Sequence, residues 1–158
     1  MMTRNSLLAM LLTAASFSCG GTSNSLPVDN LDAGEVIDCA TDARVFNYQA
    51  GMSVKSASGN LNFQLLSSNP GPPAKGTDIW SLKVTNAAGQ SQTNLNMSVL
   101  PFMPDHGHGT SIDAQITAGA DGTYSVKPLY FFMPGVWRIT FSTAAPSDNA
   151  VFFFCVPG

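Results

Sequence analysis

Apolar side chains recur at every second position along most of the chain after residue 50, and helical spacing hardly appears. Met52 and Val54 lead to Ser58-Gly59, and Leu61, Phe63 and Leu65 then alternate again, which predicts a hairpin around a glycine-containing turn. A Pro/Gly loop, Asn69 to Gly76, separates it from Trp80, Leu82 and Val84. After the Asn86-Ala-Ala-Gly89 turn come Leu95, Met97 and Val99, then Ile112, Ala114 and Ile116. Ala120-Asp121-Gly122 turns the chain into Tyr124 and Val126. Trp137, Ile139 and Phe141 follow, and Val151, Phe153 and Cys155 close the run. Short strands at this spacing, seven to nine of them, predict an all-β protein built as an antiparallel sandwich. On this register Trp80, Tyr124, Trp137 and Phe153 face the core, while Arg138 and Thr140 face outward. Gly122-x-Tyr124 is placed like the tyrosine corner of sandwich folds, with the hydroxyl bonded to nearby backbone.

The first residues do not belong to this pattern. A single basic residue, Arg4, precedes an uncharged run from Leu7 to Phe17, followed by Ser18-Cys19-Gly20-Gly21. This reads as a signal peptide over residues 1–18, since the run is well short of the ~20 apolar residues a spanning helix needs. Cys19 after the small Ser18 resembles the lipidated cysteine of a bacterial lipobox, although Ser16 stands where Leu is usual. Ordinary secretion with Ser16 and Ser18 at the cleavage site is the plainer alternative. Gly20 to Ser25 has tether composition. Five of the ten acidic residues, Asp29, Asp32, Glu35, Asp38 and Asp42, follow without a basic residue among them, and they read as a solvated spacer. The expected organisation is a signal peptide (1–18), a lipidated Cys19 with a flexible acidic tether (19–35), and one β-sandwich domain (36–158). It locates the protein in a bacterial cell envelope, exported and held to the membrane by its lipid.

Charge narrows the partners. Only 11% of residues are charged, against ~25% in an average soluble domain, so the surface must be largely Ser, Thr and Asn. The formal charge is −3 and becomes −4 once Arg4 leaves with the signal segment, which excludes a nucleic-acid partner because phosphate neutralisation needs clustered Lys and Arg. With Cys19 assigned to lipid, Cys39 and Cys155 remain as an even pair in an oxidising compartment, and a disulfide between them is expected. It would tie the first part of the domain to its last strand. Cys155, inside Val-Phe-Phe-Phe-Cys-Val, could alternatively be a small buried hydrophobe.

Catalysis finds little material. The chain has two histidines, both in Met103-Pro104-Asp105-His106-Gly107-His108-Gly109, and no Gly-x-Ser-x-Gly motif marks a nucleophile. The chain is therefore expected not to be an enzyme. His-x-His does carry metal logic, because in extended backbone the two rings emerge on one face and imidazole suits Zn, Cu and Ni. The plain alternative is a structural loop with the imidazoles bonded to nearby carbonyls.

From about Trp80 to Phe141 the residues resemble a family. A strand, the Gly89 turn, a strand ending in Met103-Pro104-x-His106-Gly107-His108-Gly109, then Gly122-x-Tyr124 and Phe132-Met133-x-Gly135-x-Trp137 are similar to the YtkA-like domain, which FixH-type proteins share in plan. The resemblance implies an exported or membrane-attached, immunoglobulin-like β-sandwich related to periplasmic copper-handling domains, without established catalysis. It places Met103, His106, His108, Met133 and Trp137 on the motif positions. FixH-type proteins carry a transmembrane helix that this chain lacks, so a role in membrane-oxidase assembly does not carry over.

Phe102-Met103-Pro104 and Phe132-Met133-Pro134 repeat one tripeptide, each where a strand gives way to a loop. If both strand ends emerge at one pole, Met103 and Met133 join His106 and His108 in a thioether and imidazole set suited to copper as Cu(I), with Asp105 behind an imidazole as a second-shell partner. The expected function is copper binding or delivery, with a copper-accepting or other envelope protein as partner. The alternative is a structural or protein-interaction module in which these segments only shape a loop, and a carrier of a small apolar ligand is a third class.

Overall fold

Alternation becomes pleat in the computed structural model, which describes residues 39–158. Nine strands form: β1 (Met52–Lys55), β2 (Leu61–Asn69), β3 (Gly76–Asn86), β4 (Met97–Met103), β5 (His108–Gly109), β6 (Gln115–Ala118), β7 (Thr123–Phe131), β8 (Gly135–Ala144) and β9 (Ser147–Val156). The expected signal peptide, the Cys19 lipidation site, the 19–35 tether and residues 36–38 lie outside the described residues. One sheet has the order β1-β2-β3-β7-β6 and the other β5-β4-β8-β9, with every pairing antiparallel. The fold is a β-sandwich, as its turn spacing predicts.

Inward positions of both sheets meet in one core around Phe63, Leu82, Trp80, Trp137 and Phe141, all fully buried. Trp80 is its hub, with ring centroids 6.2, 5.9 and 5.5 Å from Phe141, Phe152 and Phe154. Tilted and edge-on pairs of this kind add about 0.5 to 1.5 kcal/mol each beyond the area they bury. Tyr124 does form the expected corner: its hydroxyl donates to Gln92 O at 2.7 Å and accepts the Leu95 N–H at 3.0 Å. That bond draws Leu95 out of the ladder, and β4 starts only at Met97.

Two details of the expected register are corrected. Val151, Phe153 and Cys155 were expected to face the core, but Phe152, Phe154 and Val156 do so, and Phe153 is only partly buried. A run apolar at every position defines no face by itself. The ladder decides: Phe152 pairs with Ile139 and Phe154 with Trp137, and cross-strand partners share a face. Near residue 112 the strand begins later than expected, at Gln115, leaving Ile112 outside it and exposed.

Residues 39–51, ahead of β1, are part of the folded body. Cys39 and Cys155 are joined, their Cα atoms 5.3 Å apart, which is ordinary for a bridge. Phe46 N–H bonds to Phe153 O at 2.8 Å, and the rings of Phe46 and Tyr48 meet Phe154 edge-on. Outward-facing Cys155 is what lets this arm lie along β9.

Candidate functional site

The histidine segment is the connection between β4 and β5, folded back so tightly that Met103 pairs with His108 and Phe102 with Gly109. The amides of His106 and Gly107 both point at Met103 O, at 3.3 and 2.9 Å, and Gly107 takes a φ of +71° that suits glycine. His-x-His is therefore not extended, as the spacing suggested, but wraps a hairpin turn. The rings still converge, with centroids 5.6 Å apart and planes tilted by 54°. Two imidazoles ligating one ion through bonds of ~2.0 to 2.1 Å put their centroids roughly 5 to 6.5 Å apart, a range that includes this pair, while each ring lines its own cleft, His106 beside Asp42 and Asp105 and His108 beside Tyr130 and Phe132.

Neighbours differ for the two rings. His108 is partly buried and stacks on Phe132, with centroids 5.4 Å apart and planes at 29°. Its Nδ1 is buried and without a hydrogen-bond partner. His106 is exposed and lines a cleft of about 410 Å³ together with Asp42, Asp105 and Gly135. Gly135 holds a φ of +131°, and a Cβ there would stand 2.7 Å from Met103 Cε and 4.0 Å from His106 Nε2. A residue with a side chain at 135 would adopt a disfavoured backbone conformation and would push the buried Met103 methyl aside.

The four side chains expected to ligate are thus brought to one end of the sandwich on unequal terms. Met103 is fully buried in the core, and its terminal methyl reaches Gly135 beside His106. Met133 packs against the core cluster, and its carbonyl accepts the Trp137 Nε1 hydrogen at 3.0 Å. The repeated Phe-Met-Pro therefore marks two different environments: Phe102 is half-buried while Phe132 is exposed. Among the described residues no group of three or more His, Cys, Asp or Glu side chains is arranged to hold a metal.

Asp105 has Arg44 as its hydrogen-bond partner, not an imidazole. Its two oxygens take Arg44 Nη1 and Nη2 at 2.8 and 2.7 Å, while the same guanidinium reaches Asp42 through Nε and Nη2 at 2.9 and 2.6 Å. The Arg44 hydrogen bonds hold the Asp105 carboxyl below its ordinary range, with burial opposing, and hold Asp42 down to about 2. Gly135 and Phe132 stood in the sequence only as motif positions, and Arg44 had no role assigned. Asp42-x-Arg44 was the available signal, but its partner lies 61 residues away. Asp42 belongs to this cluster rather than to a solvated spacer.

An antiparallel β-sandwich presenting a histidine hairpin over a methionine-lined core end is the class that fold and site define. The chain belongs to the YtkA-like family, whose model matches residues 55–142, more than half of its length. No curated protein and no solved structure matches it.

Proposed function

We propose that this protein is a non-enzymatic, exported and lipid-anchored domain of the bacterial envelope that binds copper through His106 and His108 and passes it to an envelope partner. The observation that carries the reading is the imidazole pair, its centroids 5.6 Å apart, one ring having a buried Nδ1 that bonds to nothing in the protein. Met103 supports it, because its terminal methyl packs against Gly135 beside His106 and its thioether is the nearby soft donor that Cu(I) would favour. Met133, whose side chain packs against the core cluster, is left outside this donor set. Bound copper would supply only its own affinity for these donors; the chain contributes their spacing, the aromatic wall at Phe132 and the hairpin that carries both rings.

A second reading has one observation in its favour: both methionines are engaged in packing, as in a structural or protein-interaction module with no metal. Anaerobic Cu(I) titration against a chromophoric chelator separates the two. The expected result is one high-affinity site, lost in His106→Asn/His108→Asn and weakened in Met103→Leu. That last change conserves volume and costs less than ~1.5 kcal/mol of stability, so lost affinity is not lost fold. Equal affinity in all three proteins overturns the copper reading.

A further inference from the structure

We propose that the outward face of β4, β8 and β9, centred on Arg138, is a docking surface for a protein partner that sets a carboxylate, ringed by apolar side chains, against the guanidinium. The inference does not rest on the copper reading; it starts from the side of this sheet that the core does not use. Pairing aligns two rows across the three strands, Phe102–Arg138–Phe153 and Leu100–Thr140–Val151. Cross-strand partners share a face, and the alternate positions Pro101, Ile139, Phe152 and Phe154 are buried, so both rows point outward. The outward face of an antiparallel sheet is ordinarily polar. Here four of the six positions are apolar, and Leu100 is 55% exposed. Ser98, Ser142 and Asn149 give the patch a polar border at one end, and at the other the Cys39 arm lies beside Val136. An apolar centre within a polar rim is the anatomy of a protein interface.

Arg138 decides what the partner carries. Its guanidinium lies over the Phe102 ring, 5.0 Å from the centroid, and its Nε is buried without a hydrogen-bond partner. Among the described residues the arginine ion pairs belong to Arg44, and no carboxylate answers Arg138. A guanidinium packed on an aromatic ring is positioned before any partner arrives, so little side-chain freedom is left to lose on binding. Its planar fork matches a carboxylate, and Arg with aromatic neighbours is the residue type that interfaces place at their energetic centre. Other occupants fit less well. None of the outward positions of β4, β8 and β9 is Asp or Glu, so a second copy docked face to face would bring cation to cation without an acceptor. A lipid surface is held by clusters of Lys and Arg, and this face has one cation.

The test places a photo-crosslinking amino acid at Leu100 of the full-length protein, expressed in the cells that encode it, and at the exposed Thr77 of β3 as a control. Adducts are identified by mass spectrometry. The partner so identified is purified and titrated calorimetrically against the purified protein, with near-ultraviolet circular dichroism verifying the fold of each variant. The expected result is an adduct with one other protein at Leu100 and not at Thr77, and a complex weakened about tenfold or more by Arg138→Gln. Arg138→Lys, which keeps the charge and loses the fork, should recover only part of that affinity. Leu100→Glu, at an exposed position, should weaken the complex similarly by opposing the partner's carboxylate, and serves if the Arg138 variant does not fold. Replacing that carboxylate by its amide in the partner should abolish the effect of Arg138→Gln. An adduct with a phospholipid or with a second copy of the chain overturns the proposal, as does equal or no crosslinking at the two positions. A partner that binds the Arg138→Gln and Leu100→Glu variants with unchanged affinity overturns it too.

Discussion

Asp78 stands near the start of β3 with no solvent exposure, and its Oδ1 has no hydrogen-bond partner. Ser68 Oγ reaches Oδ2 only at 3.4 Å and lies much closer to Pro70 O, at 2.6 Å. Burial therefore pushes the carboxyl up to about 6. A folded value above the unfolded one means that the native state holds the extra proton between about pH 4 and pH 6, so this group's contribution to stability falls as pH rises through that window. Asp78→Asn should remove that slope and stabilise the protein by about 1 to 2 kcal/mol at pH 7.5, measured by denaturant unfolding across pH. A slope unchanged by the substitution would show that the carboxyl is not its source. Asp148 behaves oppositely. Burial raises it, but bonds from Ser56 and Ser58 and from the Ser58 and Asn149 amides outweigh this and bring it down to about 2, so its contribution is present above pH 4 and lost as pH falls towards 2. Tyr124 is the third informative residue. Tyr124→Phe strands Gln92 O and Leu95 N–H together, and thermal or denaturant unfolding should show a loss of about 1 to 3 kcal/mol with the fold retained.

At the scale of elements, β9 separates what alternation can and cannot decide. In Leu61 to Leu65, Trp80 to Val84 and Trp137 to Phe141 polar residues alternate with apolar ones and the buried set follows the sequence pattern, whereas at the bulged ends of β2 and β3 Ser68 and Asp78 turn inward and Ile79 outward. In Val151 to Val156 both faces are apolar, so pairing with β8 and the outward demand of the disulfide choose the register. Phe152→Ala should therefore cost about 3 to 5 kcal/mol in equilibrium unfolding, as for a fully buried aromatic, and Phe153→Ala clearly less. Equal costs would return the strand to the register its sequence suggested. The β4–β5 hairpin was legible as a strand ending at Met-Pro, with two histidines just beyond. Its tightness was not, because the two-residue β5 is too short to show a period.

For the whole molecule, the arm from Cys39 to Tyr48 closes one side of the sandwich and delivers Arg44 to the histidine end. Replacing Cys39 and Cys155 together by Ala should lower stability by roughly 2 to 5 kcal/mol, read from denaturant midpoints with and without reductant. An unaltered midpoint would mean that noncovalent contacts along β9 hold the arm unaided. Export and anchoring are testable at the same scale. Intact-mass measurement of the membrane fraction is expected to show a mature chain beginning at an acylated Cys19, and an unmodified thiol there would exclude the anchor.

Strand number, the sandwich class, the Cys39–Cys155 pair, the Tyr124 corner and the burial of Trp80 and Trp137 were determined by local features: period-2 patterning, turn residues and cysteine parity act over a few positions or on simple counts. Only tertiary structure decided that Asp105 belongs to Arg44, that Met133 packs against the core while Met103 reaches Gly135, and which face β9 turns inward. The reason is physical. These outcomes depend on which of several chemically similar partners the fold brings within bonding distance, and that distance is set by strand pairing and chain crossing between residues far apart in sequence, where spacing carries no geometry.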